Sequence, residues 1–311
     1  MPVSVQTTLA RPAAVTRRWT ARTREWLLGY VLLLPAFAFT IGLIVYPAVW
    51  AIYFAFTDKV VGRPERFVGF ENFVRILNTP ALGVIIKNTI VIVTLAVAIK
   101  AVVGLTMALA LNEDFPFRSA IRGILFLPWT VPSFVAGLIW RWLFDDQNGL
   151  FNWFLLKLHL IEAPIPWLGD PVIALTAIVI VLVWKGFPFF GISYLAGLQA
   201  ISAELYEAAE VDGANALQRF WYITLPGLKH VLIVTIMLST IWTANTFDLV
   251  WIMTGGGPSN ATEVFTVLTY RLGIQNGRIG EAATVPLMAM PIFAGLIIIL
   301  TRYMQERGEE S

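Results

Sequence analysis

Six apolar runs, each longer than the ~20 residues a helix needs to cross the hydrocarbon core of a bilayer, constrain this chain more than any other feature. They cover residues 26–56, 85–111, 120–144, 172–198, 231–253 and 282–304. A single water-soluble core stops growing near ~250–300 residues, so apolar excess spread evenly along such a length has no globule to hide in. Composition agrees: 58% of the 311 residues are hydrophobic and 14% charged, against roughly 45–50% and about 25% in soluble domains. The predicted fold class is an all-α integral membrane protein with six transmembrane helices. An even number of spans places both termini on one side.

Residues 1–25 form a polar tail with Arg11, Arg17, Arg18, Arg22 and Arg24 directly ahead of the first apolar run. That run is too long for a signal-peptide core of ~7–15 residues, so it reads as a retained span. By the positive-inside rule the arginines put the tail, and with it both termini, on the cytoplasmic side of the cell membrane. The domain reading is a basic tail over 1–25 followed by a six-span domain over 26–311. Cytoplasmic loops then fall at 112–119 and 199–230, and external loops at 57–84, 145–171 and 254–281. Prolines at 35, 47, 128, 132, 188, 286 and 291 predict kinks, because each removes a backbone donor from its helix.

Several function classes are disfavoured at this level. A net charge of +2 without a basic stripe argues against nucleic acid. There is no cysteine, and the two histidines, His159 and His230, lie far apart without metal-ligand spacing. No metal or cofactor is expected on this chain. The chain lacks G-x-x-x-x-G-K-[ST], so any energy from ATP must come from a partner. A membrane enzyme using Asp145 and Asp146 remains an alternative, although adjacent acids do not share a face and have no second acidic cluster beside them. A channel or structural membrane protein is the other.

The loop over 199–230 is amphipathic where the spans are not. Leu205, Ala208, Ala209 and Val211 gather on one side of a short helix, and Glu204, Glu207 and Glu210 on another. Asp212 and Gly213 supply a turn signal, and a second helical stretch is expected from Ala214 to Leu225 and Pro226. Helix, turn, helix is a docking element, or a plain connection between two spans.

Within this loop EAAEVDGANALQRFWYITLP resembles the EAA motif of ABC importer permeases, matching it at Glu207, Ala208, Ala209, Gly213, Ile223, Leu225 and Pro226. The resemblance implies that the loop is the coupling helix seated on a nucleotide-binding subunit. Glu207 is then the charged contact, and Asp212 with Gly213 the turn. LLLPAFAFTIGLIVYPAVWAIYFAFTD, FVGFENFVRIL, NGLFNW, WLGDP and MTGGGP resemble the carbohydrate branch, in particular the maltose and glycerol-phosphate type of first permease. This resemblance implies a type I importer fold, a second and different permease subunit, a pair of ATPase subunits holding ATP and Mg, and an extracytoplasmic sugar-binding protein. The maltose permease carries two further N-terminal spans and a large external domain that are lacking here, which leaves the substrate open.

In the fifth run Ser239, Trp242, Thr243 and Thr246 share one helical face at i, i+3, i+4 and i+7, with Asn245 and Asp248 nearby. Hydroxyls around an indole suit a sugar, although membrane Ser and Thr also bond their own backbone. By resemblance, Ser239, Trp242, Thr243 and Thr246, with Lys185, Gly186 and Phe189 of WKGFPFF, fall on positions that contact sugar in the maltose permease. Lys185 and Lys100 sit near mid-span, where a lysine costs about 2.5–3.5 kcal/mol on insertion scales. Lys185 meets an anionic substrate, bonds carbonyls freed by Pro188, or snorkels. For Lys100 the expectation is a buried partner within the assembly.

Overall fold

The computed structural model describes residues 21–308, in two compact units divided after Ala51. The described residues are helical, with one isolated β-bridge between Thr57 and Phe67. The predicted basic tail lies outside the described residues up to residue 20.

The first unit holds α1 (Ala21–Thr40), which passes through a wider π turn, Ile41–Val45, into the first turns of α2 (Tyr46–Ala55). The π turn directly precedes Pro47, which has no N–H to offer and whose ring crowds the carbonyl four residues back. Widening the ladder accommodates both. Its large side chains are exposed along the helix, Leu32 and Leu43 to 70%. A helix apolar all round is stable in hydrocarbon and not in water.

In the second unit the core is the contact between α4 (Leu82–Asn112) and α8 (Pro171–Gln199). A Cβ on Gly104 of α4 would lie 2.3 Å from the Cβ of Phe190, so only glycine allows the two backbones this close. Small residues at such crossings are how membrane helices gain packing without a hydrophobic drive. Phe190, Tyr194 and Leu228 fill the space beside it, all three fully buried.

Two of the six expected spans are not built as the sequence suggested. The third is broken: α5 (Arg118–Thr130) and α6 (Ser133–Leu143) meet at 93°. Pro132 excludes Val131 from the helical region, and Val131 sits at φ −65°, ψ 127°. The fifth starts earlier and ends earlier than 231–253. Its helix runs from α10 (Ala216–Arg219) through a π turn, Phe220–Thr224, into α11 (Leu225–Ala244). Here too a π turn precedes a proline, Pro226, so the helix continues where a break was expected. At the far end Asn245 Nδ2 donates to Ile241 O at 2.8 Å, the chain leaves the helix, and α12 (Asp248–Thr254) begins separately. With α14 (Ile279–Gly308) and the N-terminal helix, the described residues hold five helices long and apolar enough to span a membrane, or six with the bent pair as one span.

The connections between the long helices carry the short helices α3 (Glu71–Leu77), α7 (Leu150–Lys157) and α13 (Phe265–Tyr270). The NGLFNW and WLGDP segments pack on each other, with Asn152 Oδ1 accepting from Trp167 Nε1 at 2.9 Å and from Ile165 N at 3.1 Å. Asp170 then caps α8, accepting from Val172 N and Ile173 N, both at 2.9 Å, with Pro171 at the first helical position. After MTGGGP, Glu263 is 1% exposed and accepts from Arg271 Nη1 at 3.0 Å. Burial pushes its carboxyl above the usual carboxylate range while the guanidinium pulls it down.

Candidate functional site

The loop over 199–230 folds as helix α9 (Ala203–Val211), a turn, and the start of the fifth span. Ala214 N donates to Ala209 O at 2.8 Å and Gly213 N to Glu210 O at 3.0 Å. This is a Schellman end, which needs a left-handed residue just past the helix, and Gly213 takes φ +77°. Asn215 caps the next helix reciprocally with Gln218, at 2.9 and 2.8 Å. An Arg219–Glu210 ion pair and a Tyr206–Thr224 hydroxyl contact at 3.0 Å fasten α9 to the base of the fifth span. The second helix of the loop is therefore not a separate element, as expected from the sequence, but the near end of the fifth-span helix itself.

Glu207, Ala208 and Asp212 are exposed and Ala209 half-buried. Among the described residues Glu207 makes no hydrogen bond or ion pair, whereas its neighbour Glu210 is held by Arg219. Around it Leu205, Val211 and Leu217 are exposed to 54, 88 and 67%. Ile223 and Leu225 are half-buried, and Pro226 is exposed on the first turn of α11. The result is a surface of exposed apolar side chains with the carboxylates of Glu204, Glu207 and Asp212 unpaired among the described residues, carried at the base of a helical lever.

At the other end of that lever is a cavity of about 290 Å³, at the lower end of the range for small-molecule sites. The fifth span contributes Ser239, Trp242 and Thr243, and the break after it contributes Asn245, Thr246 and Asp248. From α8 come Lys185, Gly186 and Phe189, so every residue singled out for a substrate path lines one space. Thr246 reaches it from the break and not from the helical face that its spacing suggested. Trp242 is half exposed and its ring lies 5.0 Å from that of Phe189, tilted by 58°. Thr246 returns its proton to Trp242 O at 3.3 Å, so backbone bonding, the alternative to a ligand role, does occur there.

Lys185 Nζ donates to Val131 O at 2.5 Å. Its carbonyl partner is thus the one stranded between α5 and α6, and not one freed by Pro188. Lys100, Trp129 and Ser133 also line the cavity, and the sequence pattern does not mark them as part of it. In the sequence Lys100 stands out only as an expensive charge. It is 5% exposed, and its Nζ donates to Thr243 Oγ1 at 2.9 Å, a buried partner supplied by this chain itself. The contact joins residues 143 positions apart, which no local pattern reveals.

This arrangement of helices is that of the membrane subunits of ABC importers. A crystal structure of a bacterial ABC transporter involved in the import of the acidic polysaccharide alginate contains a chain that matches at a TM-score of 0.80, with 24% identity, over 93% of this chain and 99% of that one. The chain belongs to the binding-protein-dependent transport system inner membrane component family, whose model matches residues 100–307. It is 39% identical over 248 residues to the trehalose/maltose transport system permease protein MalF of Thermococcus litoralis, covering 79% of this chain and 83% of that protein. It is 34% identical over 292 residues to the sulfoquinovosyl glycerol transport system permease protein SmoG of Agrobacterium fabrum, covering 93% of each. The chain is an inner-membrane permease component of an ABC importer.

Proposed function

We propose that this permease imports a sugar, pairs with a second permease to enclose the path, and is driven by two ATPase subunits that hold ATP and Mg. An extracytoplasmic binding protein delivers the sugar. The loop over 199–230 faces the cytoplasm with both termini, and Glu207, Ala208, Ala209, Asp212, Gly213, Ile223, Leu225 and Pro226 form the ATPase-coupling element. The path is lined by Ser239, Trp242, Thr243, Asn245, Thr246 and Asp248 with Lys185, Gly186 and Phe189.

The single observation that carries this reading is mechanical. One helix, from Ala216 to Ala244, has α9 fastened to its base and the polar cavity at its tip. Movement of α9 by an ATPase on closing is transmitted along this helix of 29 residues, through its π turn, to Trp242 and Thr243. Carbohydrate as cargo is supported by the names of the two relatives and by an indole plate beside hydroxyls, the pairing that a sugar ring and its hydroxyls need.

The test is ATP hydrolysis by the complete assembly in nanodiscs. Hydrolysis should rise several-fold when binding protein loaded with sugar is added, and less with empty binding protein. Equal rates with loaded, empty and no binding protein would contradict the reading.

A further inference from the structure

Around Lys100 the cavity lining offers donors that no carboxylate meets, although Asp248 lines the same space. Lys100 carries three N–H donors, and the one hydrogen bond it makes among the described residues is to the neutral Thr243 Oγ1 at 2.9 Å. Neither Lys100 nor Asp248 makes an ion pair among the described residues. Asp248 Oδ1 accepts from Leu249 N at 3.0 Å, and Lys185 gives one of its three donors to Val131 O. Ser239 is 3% exposed, lines the cavity and has no hydrogen-bond partner among the described residues.

Thr243 completes the set. Thr240 and Thr246, its neighbours along the chain, return their protons to the carbonyls of Ile236 and Trp242, at 2.8 and 3.3 Å. Thr243 does not; it accepts from Lys100 and so keeps its own O–H free to donate. Gly186 makes this possible, because a Cβ there would lie 2.6 Å from Lys100 Cε and 3.1 Å from Nζ. An ammonium buried in this way, without a carboxylate, is costly unless a charge arrives to meet it.

We infer that Lys100, Ser239 and Thr243 form a subsite for an anionic substituent on the transported sugar, a carboxylate, sulfonate or phosphate ester whose oxygens only accept. This rests on the sugar-path reading above and narrows it. The oxyanion receives the spare protons of Lys100 and the hydroxyl protons of Ser239 and Thr243, while the ring lies toward Trp242 and Phe189. Charge-assisted bonds are roughly twice as strong as neutral ones, so an acidic sugar should bind about tenfold or more tightly than its neutral counterpart.

The experiment measures binding to the complete permease assembly in nanodiscs, by calorimetry, of maltose, of a glucuronic-acid-containing disaccharide of the same linkage, and of maltose 6-phosphate. Preference for the uronate, the phosphate or both over maltose supports the subsite and tells which oxyanion it takes. Lys100→Met should bring the ratio to about one. Gly186→Ala, which keeps the charge but displaces the ammonium, should lower it as well. A general loss of packing would weaken all three probes together and leave the ratio unchanged, which counts against the inference. Equal binding of the three probes to the native assembly overturns it, as when a carboxylate of the second permease already neutralises Lys100, and leaves the sugar path standing. Binding of none of them overturns the sugar path and the subsite together.

Discussion

Gly213→Val is expected to reduce uptake at least a hundredfold, and Glu207→Ala to do nearly as much, while the permease still inserts and pairs with its partner. The two act differently. At φ +77° any residue with a Cβ is strained, and a β-branched one most of all. Nothing lies within 4 Å of where that Cβ would be, so the damage comes from the backbone and not from a clash. The Schellman end opens, α9 loses its angle to the fifth span, and the ATPase no longer meets a fixed surface. Gly213→Asn is the control, since asparagine tolerates the left-handed region and should keep much of the activity. Glu207 is exposed and unpaired among the described residues, and on the proposed coupling role its removal should leave a basic partner on the ATPase without its counter-charge, which typically costs several kcal/mol in a partly desolvated interface. Uptake measured in cells, with the amount of assembled permease as reference, checks both. Wild-type uptake in both variants contradicts the coupling role.

The second large effect is expected at Trp242. Trp242→Ala removes an exposed indole that stands against Phe189 at the cavity edge and makes no hydrogen bond of its own among the described residues. Losing that stacking plate, worth about 1.5–3 kcal/mol for a large apolar side chain, should lower uptake at low sugar concentration about ten- to hundredfold. ATPase docking should be unaffected, because Trp242 lies at the opposite end of its helix from α9. Unchanged uptake at low concentration would take Trp242 out of the path.

Much of this architecture was legible because lipid imposes one rule: backbone groups must be satisfied within each span. Run length therefore found the first, second, fourth and sixth spans to within a few residues but misplaced the fifth, which runs over 216–244 and not 231–253, and the turn at Gly213 is set by local chemistry. What hydropathy could not see is where an apolar run bends. Residues 120–144 are as apolar as any span, yet Pro132 turns the chain by 93°. At Pro47 and Pro226 the helix instead absorbs the proline in a preceding π turn and carries on. A proline signals a missing donor, and the tertiary surroundings decide between a break and a bulge.

The cavity was half legible for the same reason. Ser239, Trp242 and Thr243 share a helical face in the sequence and share the cavity in the fold. The polar run from Thr243 to Thr246 is also a helix stop, which the assumption of an unbroken span conceals. Lys100 is visible as an expensive charge, but its partner lies beyond any window. That Lys185 holds the carbonyl of Val131 could only emerge once the third span was seen to be broken.

Whether α9 is the surface on which the ATPase sits can be measured directly, because the chain has no cysteine and a single one can be placed at will. Glu207→Cys, labelled with a short photo-activated cross-linker in membranes containing the whole assembly, should give an adduct with the ATPase subunit. Ser259→Cys, exposed after the fifth span on the proposed external face, should give none with it. An adduct from position 259 with none from 207 would contradict both the orientation of the chain and the coupling role of the loop.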